Sequence, residues 1–339
     1  MNNIKIITSL ILMILSFHVS SAEKINITFN SFIPNQHYFN QDILLPWLKE
    51  IESLTEGRVT FDVPTSSLAA PAQQYSAVIN GVFDAGYMMN ATNPELVKLL
   101  SLPHLPAINK SAGKSSIALW RTYNKFFRQT DELKDVKILS TIVANPAIGI
   151  YGLKGDVVSV DDVAGKRSFA LPGSPAKMLN LLGSGVIAQP AVRSYEVISS
   201  GAVDFFSGYA LSDALTFKTM QFIKTVTEVP GGISAPAFTI IMNKDVWNSI
   251  SKEDQDIIEK HAGEEFASRL FLYDQKAQEA KEVALSNGVK FNKMNSDLEK
   301  EVSIHSDELQ AEWIEGANKM GVDGKAALAY YTSIALSEN

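Results

Sequence analysis

Between residues 25 and 89 the hydrophobic residues change period four times, and this alternation restricts the fold more than any other feature of the chain. Ile25-Asn26-Ile27-Thr28-Phe29 alternates apolar and polar with β-branched residues, the mark of a half-buried strand. Ile43, Leu44, Trp47, Leu48 and Ile51 then recur at steps of three and four, which predicts a helix over 40–54 closed by Gly57. Residues 58–63 (RVTFDV) alternate again, a helix is expected over 72–80 before Gly81, and an apolar run covers 83–89. Strand, helix, strand, helix, strand is the pattern of an α/β layer with a largely parallel sheet. The rhythm returns with strands at 136–143, 166–171, 186–188 and 203–206, helices at 176–182 and 194–200, and a further β-rich run at 238–242. No residue-level repeat relates the two sets. A chain of 339 residues exceeds one comfortable core, so two α/β units are expected.

From Ser251 the character changes. Ser251 and Asp254 form a capping-box pattern, and the stripe Ile258, Ala262, Phe266, Leu270, Tyr273, Ala277, Ala280 and Ala284 continues to Asn287-Gly288. One unbroken helix here would be roughly 50 Å long at 1.5 Å per residue, enough to cross both units. Two stacked helices are the alternative. The tail, 296–337, is again helical in pattern with an interruption at Gly321–Gly324.

The N-terminus sets the compartment. Lys5 precedes an apolar run, Ile6 to Val19, and Ser20-Ser21-Ala22 places small residues where a signal peptidase cuts. The run is short for a spanning helix, which needs ~20 residues, and no Lys/Arg cluster follows it. A cleaved signal peptide (1–22) and export to the periplasm are expected. The absence of cysteine suits an oxidising space.

Composition excludes several functions. The net charge of −7 and the lack of any basic stretch leave nothing to displace counterions from nucleic-acid phosphates. No GxSxG elbow, no histidine pair at metal-ligand spacing and no phosphate loop appears. Neither an enzyme constellation nor a cofactor or metal site is therefore expected. Binding is the better reading, with an exported hydrolase as the competitor.

Five segments, in order, resemble the DctP-type solute-binding subunit of TRAP transporters: Thr55-Glu56-Gly57-Arg58, Gly81 to Gly86 (GVFDAG), Asp162 to Arg167 (DVAGKR), Tyr195 to Asp204 (YEVISSGAVD), and Met242 to Trp247 (MNKDVW) with Asp254-Gln255. The resemblance implies an α/β, two-lobed periplasmic-binding-protein-like fold with a long helix bridging both lobes. It implies a first lobe over 23–147, a second over 148–234, a return to the first lobe with the interlobe helix over 235–285, and C-terminal helices over 286–339. It also implies a monomer that captures a small organic solute by cleft closure and delivers it to membrane permease subunits, without chemistry of its own. An ABC-type or sensor-linked receptor is the alternative within the binding class.

The departures from the family pattern concern the ligand. Where relatives place a carboxylate-gripping Arg four residues beyond the glycine of the D-x-x-G turn, this chain has Phe169, and two further polar clamps fall at Gly149-Ile150 and Gly208. A bidentate Arg–carboxylate pair is geometrically specific. Its loss predicts a ligand other than a standard carboxylate, with a small amine or neutral polar solute favoured. The alternative is that Arg167, on the same strand face as Phe169, reaches the cleft; Arg193 is the other candidate, expected to stay exposed. The resemblance places the cleft lining at Phe32, Asn35, His37, Tyr38, Gln73, Gln74, Tyr87 to Asn90, Phe169, Phe206, Tyr209 and Asp213. Asp84 and Asp204 are expected to be structural.

N-terminal sequencing of the exported protein should begin at Glu23; membrane-associated protein that retains Met1 to Val19 would refute cleavage after Ala22.

Overall fold

The computed structural model describes residues 24–338, so the expected signal segment lies outside the described residues. Among the described residues no helix is long and apolar enough to cross a membrane. The strands are β1 (Ile25–Asn30), β2 (Val59–Asp62), β3 (Ala85–Met89), β4 (Val136–Val143), β5 (Gly149–Gly152), β6 (Arg167–Ala170), β7 (Gly185–Ala188), β8 (Phe205–Ser207), β9 (Thr225–Glu228), β10 (Ala237–Asn243) and β11 (Lys290–Lys293). They form two sheets, ordered β2-β1-β3-β10-β4 and β11-β9-β5-β8-β6-β7. In the first, β1 is parallel to β2 and β3, while β10 runs antiparallel to both β3 and β4. In the second, β5 is antiparallel to β8 and β9 and the other pairs are parallel. Each sheet with its covering helices is one lobe.

The chain crosses between lobes after β4 and again after β9, and the two crossing segments pair with each other. Ala147 N–H donates to the Ser234 carbonyl at 2.8 Å and Ile233 N–H to the Ala147 carbonyl at 2.9 Å. Three short strands, β5, β9 and β11, escape periodicity. In β5 the sequence GIYG carries glycine for a contact reason: a Cβ on Gly149 would lie 1.8 Å from the Thr227 carbonyl oxygen. Glycine reads as punctuation in the sequence, whereas here it admits the neighbouring backbone. β11 lies between the two stretches expected to be helical, and it extends the second sheet at its edge.

The first predicted helix opens with a wide π-helical turn, Phe39–Leu44, before the α-helix Leu45–Leu54. Pro46 has no N–H to give to the carbonyl four residues earlier, so the ladder changes register there. The stripe Ile43, Leu44, Trp47, Leu48 and Ile51 is fully buried, as the spacing requires.

The continuous helix expected over 251–286 is three helices, Lys252–His261, Gly263–Ser268 and Phe271–Ser286. Tertiary contacts break the first joint: the Trp47 indole donates to the His261 carbonyl at 2.7 Å, and Gly263 sits at φ 56° with Trp120 packed where a Cβ would stand. Gly263 was the sequence signal that the stripe concealed. Phe271–Ser286 is the bridging helix, packing on Ala112–Thr122 of the first lobe and on Leu211–Thr216 of the second. Its Asp274 accepts from Ser111 Oγ at 2.6 Å and Ala112 N–H at 2.7 Å, which fixes it to the start of the Ala112–Thr122 helix. Ser296–Lys319 and Gly324–Ala335 then pack over both lobes, separated at the predicted Gly321–Gly324 interruption.

His104 holds the start of β10 by accepting the Ala237 N–H at Nε2, 3.0 Å away. Burial pushes its imidazole down to about 4, and Nε2 can accept the Ala237 N–H only while unprotonated. Free histidine titrates near 6.5, so between these values the unfolded chain binds a proton that the native state refuses. Stability should therefore fall as pH drops from about 6.5 towards 4, by roughly 3 kcal/mol. His104→Gln, whose amide can still accept from Ala237, should flatten that slope in urea unfolding at pH 7 and 4.5; an unchanged slope would place the proton linkage elsewhere.

Candidate functional site

The cavity of interest lies between the two sheets, where the loop after β1, the ends of β3 and β10, the segment after β8 and the bridging helix meet. Strand alternation puts Tyr87 and Met89 of β3 on one face, and antiparallel register sets Phe238 of β10 opposite Met89. Phe32, Phe39, Tyr87, Tyr209, Phe217, Phe238 and Tyr273 wall a cavity of about 60 Å³. The rings brace one another: Phe32 lies 4.9 Å from Tyr87 between centroids, and Tyr209 lies 6.1 Å from Phe217. His37 and Asp213 are the cavity's non-tyrosine ionisable groups among the described residues.

The loop carrying His37 is held from within. Asn40 Nδ2 donates to the Pro34 carbonyl at 3.1 Å, and Ser31 Oγ donates to Asn40 Oδ1 at 3.0 Å. With that hydrogen committed, the Tyr87 hydroxyl, also 3.0 Å from Ser31 Oγ, is the donor to it. His37 Nδ1 accepts the Phe39 N–H at 3.1 Å, which assigns its proton to Nε2, 3.4 Å from Asp213 Oδ1. The Tyr38 hydroxyl donates to the same Oδ1 at 2.9 Å. His37 and Tyr38 belong to the first lobe and Asp213 to the second, so one carboxylate oxygen ties the lobes across the cleft. Burial, then the Asp213 charge, holds the Tyr38 and Tyr273 hydroxyls well above the usual phenol range. Burial does the same to Tyr87 and Tyr209.

Of the residues expected from sequence, Phe32, His37, Tyr87, Tyr209 and Asp213 line the cavity, and Tyr38 joins through Asp213. Met89 lines it as well, and the rest do not. Phe169 is fully buried in the second lobe's core, edge-on to Tyr209 at 6.4 Å, and Phe206 packs behind it on Tyr151. Both point inward because the second sheet is covered on two sides. Gln74 is buried but spent on Asn30 and the Ala69 carbonyl, and Gln73 is exposed. Asn90 donates to the Leu100 carbonyl and accepts from Thr239. Asn35 donates to the Thr65 carbonyl at the surface. Arg167 is exposed at the start of β6, where its N–H donates to Asp204, so it is no clamp; Arg193 is exposed and paired with Glu196. Phe39, Phe217, Phe238 and Tyr273 were missed, and Tyr273 was legible only as part of a core stripe.

Glu50, His261 and Glu265 are near enough to one another to suggest a metal site away from the cleft. The Arg269 guanidinium already bonds both carboxylates, at 2.5 and 2.8 Å, so the cluster is an ion-pair network.

Residues 29–315 match the family model of the bacterial extracellular solute-binding proteins, family 7 (DctP). The outer membrane transporter protein TsaT of Comamonas testosteroni is 38% identical over 312 residues, 92% of each chain. A TRAP periplasmic solute-binding protein from Bordetella bronchiseptica, solved with (R)- and (S)-mandelate, is 29% identical with a TM-score of 0.86, covering 92% of this chain and 99% of that one. A marine-metagenome TRAP protein solved with metahydroxyphenylacetate, 24% identical over 92% of this chain and 99% of that one, shares the fold with a TM-score of 0.82.

Tyr38→Phe removes the hydrogen bond from the first lobe to Asp213 and leaves the His37 contact at 3.4 Å. The loss should shift the unliganded protein towards an open form, with a cost to closure of about 1.5–3 kcal/mol, the range for a hydrogen bond to a charged group. Small-angle scattering would show a larger radius of gyration; an unchanged profile would mean the Asp213 contact does not hold the lobes.

Proposed function

The chain belongs to family 7 of the bacterial extracellular solute-binding proteins, the DctP family, and on that footing we propose that its cleft captures a small aromatic carboxylic acid. It is a binding protein and not an enzyme, and the family implies delivery of the solute to TRAP membrane permease subunits. In this reading it works as a periplasmic monomer after loss of residues 1–22, with lobes at 23–147 plus 235–285 and at 148–234, and 286–339 packed over them.

The observation that carries the ligand class is the wall of seven phenylalanine and tyrosine rings with a single polar end at His37 and Asp213. A flat ring fits such a wall through offset and edge contacts. The relative solved with mandelate, an aromatic acid, supports the same class. The small-amine or neutral-polar expectation finds no support there. Its premise was the loss of the Arg clamp at Phe169 and of the polar clamps at Gly149-Ile150 and Gly208. At about 60 Å³ the cavity is smaller than the roughly 150 Å³ that holds benzene, so a ring enters with lobe opening or side-chain movement.

Thermal-shift screening of the protein against benzoate and mandelate, small amines and polyols tests the reading. A ligand at a hundredfold over its Kd should stabilise by about 2.7 kcal/mol. Shifts from the aromatic acids are expected; shifts confined to amines, abolished in Asp213→Asn, would overturn it.

A further inference from the structure

We propose that the cleft takes up one proton from solvent when it binds its aromatic acid, shared between Asp213 and the ligand carboxylate; the inference rests on the aromatic-acid reading above. Among the described residues no lysine or arginine lines the cavity. An ionised carboxylate buried without a partner is too costly, so the acid group must lie at the polar end, beside His37 and Asp213. Two carboxylates sharing a site without a cation cannot both stay ionised.

The proton has one good seat. His37 could become the balancing cation only by giving up its acceptor contact, since Nδ1 takes the Phe39 N–H and Nε2 faces Asp213. Asp213 Oδ1 already faces both Tyr38 and His37, whereas Oδ2 has no hydrogen-bond partner among the described residues. A proton on Oδ2 would leave the lobe-to-lobe contacts intact and turn the repelling oxygen into a donor. The titratable groups around Asp213 are His37 and Tyr38 from the loop after β1, Tyr151 of β5, Tyr209 after β8, and Tyr273 of the bridging helix. Burial keeps these four phenols neutral at physiological pH, so none offers a compensating charge. The pair thus selects weak acids that can share a proton, and rejects permanently charged anions of the same size.

Calorimetric titration with benzoate, from pH 5.5 to 8.5 and in two buffers of different ionisation heat, tests this. One proton should be taken up per molecule bound, with affinity falling about tenfold per pH unit where coupling is complete. Asp213→Asn keeps an oxygen to accept from Tyr38 and His37 but carries no charge. It should bind benzoate with affinity that changes less than about threefold over the same range. Benzoate binding that is flat with pH and releases the same heat in both buffers would overturn proton uptake while leaving the aromatic-acid reading standing. Uptake that persists in Asp213→Asn would overturn the assignment to Asp213. If that variant fails to fold, the two-buffer measurement on the natural chain decides alone. Failure of benzoate and mandelate to bind at any pH would remove the aromatic-acid reading and this inference with it.

Discussion

Strand β10 lies between β3 and β4, hydrogen-bonded to both, although the strands β5 to β9 of the second sheet intervene in sequence. The rest of the architecture depends on that insertion. To place β10 there the chain must leave the first lobe, complete most of the second and return, so two crossing segments are obligatory. They pair through Ala147 and Ser234, which gives the lobes a common ribbon beside the bridging helix. His104 fixes the point of return by holding the first N–H of β10.

The cleft follows from the same geometry. The ends of β3 and β10 bring Tyr87 and Phe238 to its floor, and the bridging helix brings Tyr273 to its side. The polar end then consists of one carboxylate from the second lobe held by two side chains from the first. A carboxylate with one oxygen so engaged is a contact that forms only when the lobes meet, which is where binding free energy can favour closure.

The family motifs turn out to build the scaffold. Arg58 bonds Asp254, a buried side chain that also caps its helix through Ser251, and this ties β2 to the Lys252–His261 helix. Asp84 accepts the Thr28 N–H, Asp162 completes a capping box with Ser159, Asp204 accepts the Arg167 N–H, and Asn243 caps Lys244–Ser249. These four satisfy backbone groups that a strand or helix end would otherwise leave unpaired. Such roles are independent of the solute, which is why the motifs identify the family and say nothing about what it carries.

Local pattern determined the α/β class, the buried stripe of the first helix, β4 with its full length, and the family. These are properties of a few neighbouring residues and survive in one dimension. Tertiary structure decided where the long stripe breaks, because Trp47 and Trp120 reach His261 and Gly263 from distant segments. It decided that glycine at 149 belongs inside a strand, because the Thr227 carbonyl approaches it. It also separated the aromatics of the cleft from those of the core. Phe169 and Phe217 are the same residue type in similar apolar surroundings, and only the packing of two sheets puts one behind Tyr209 and the other in the cavity wall. A binding site assembled from eight chain segments has no spacing of its own, since the distances that define it are set by the packing of two sheets and the bridging helix.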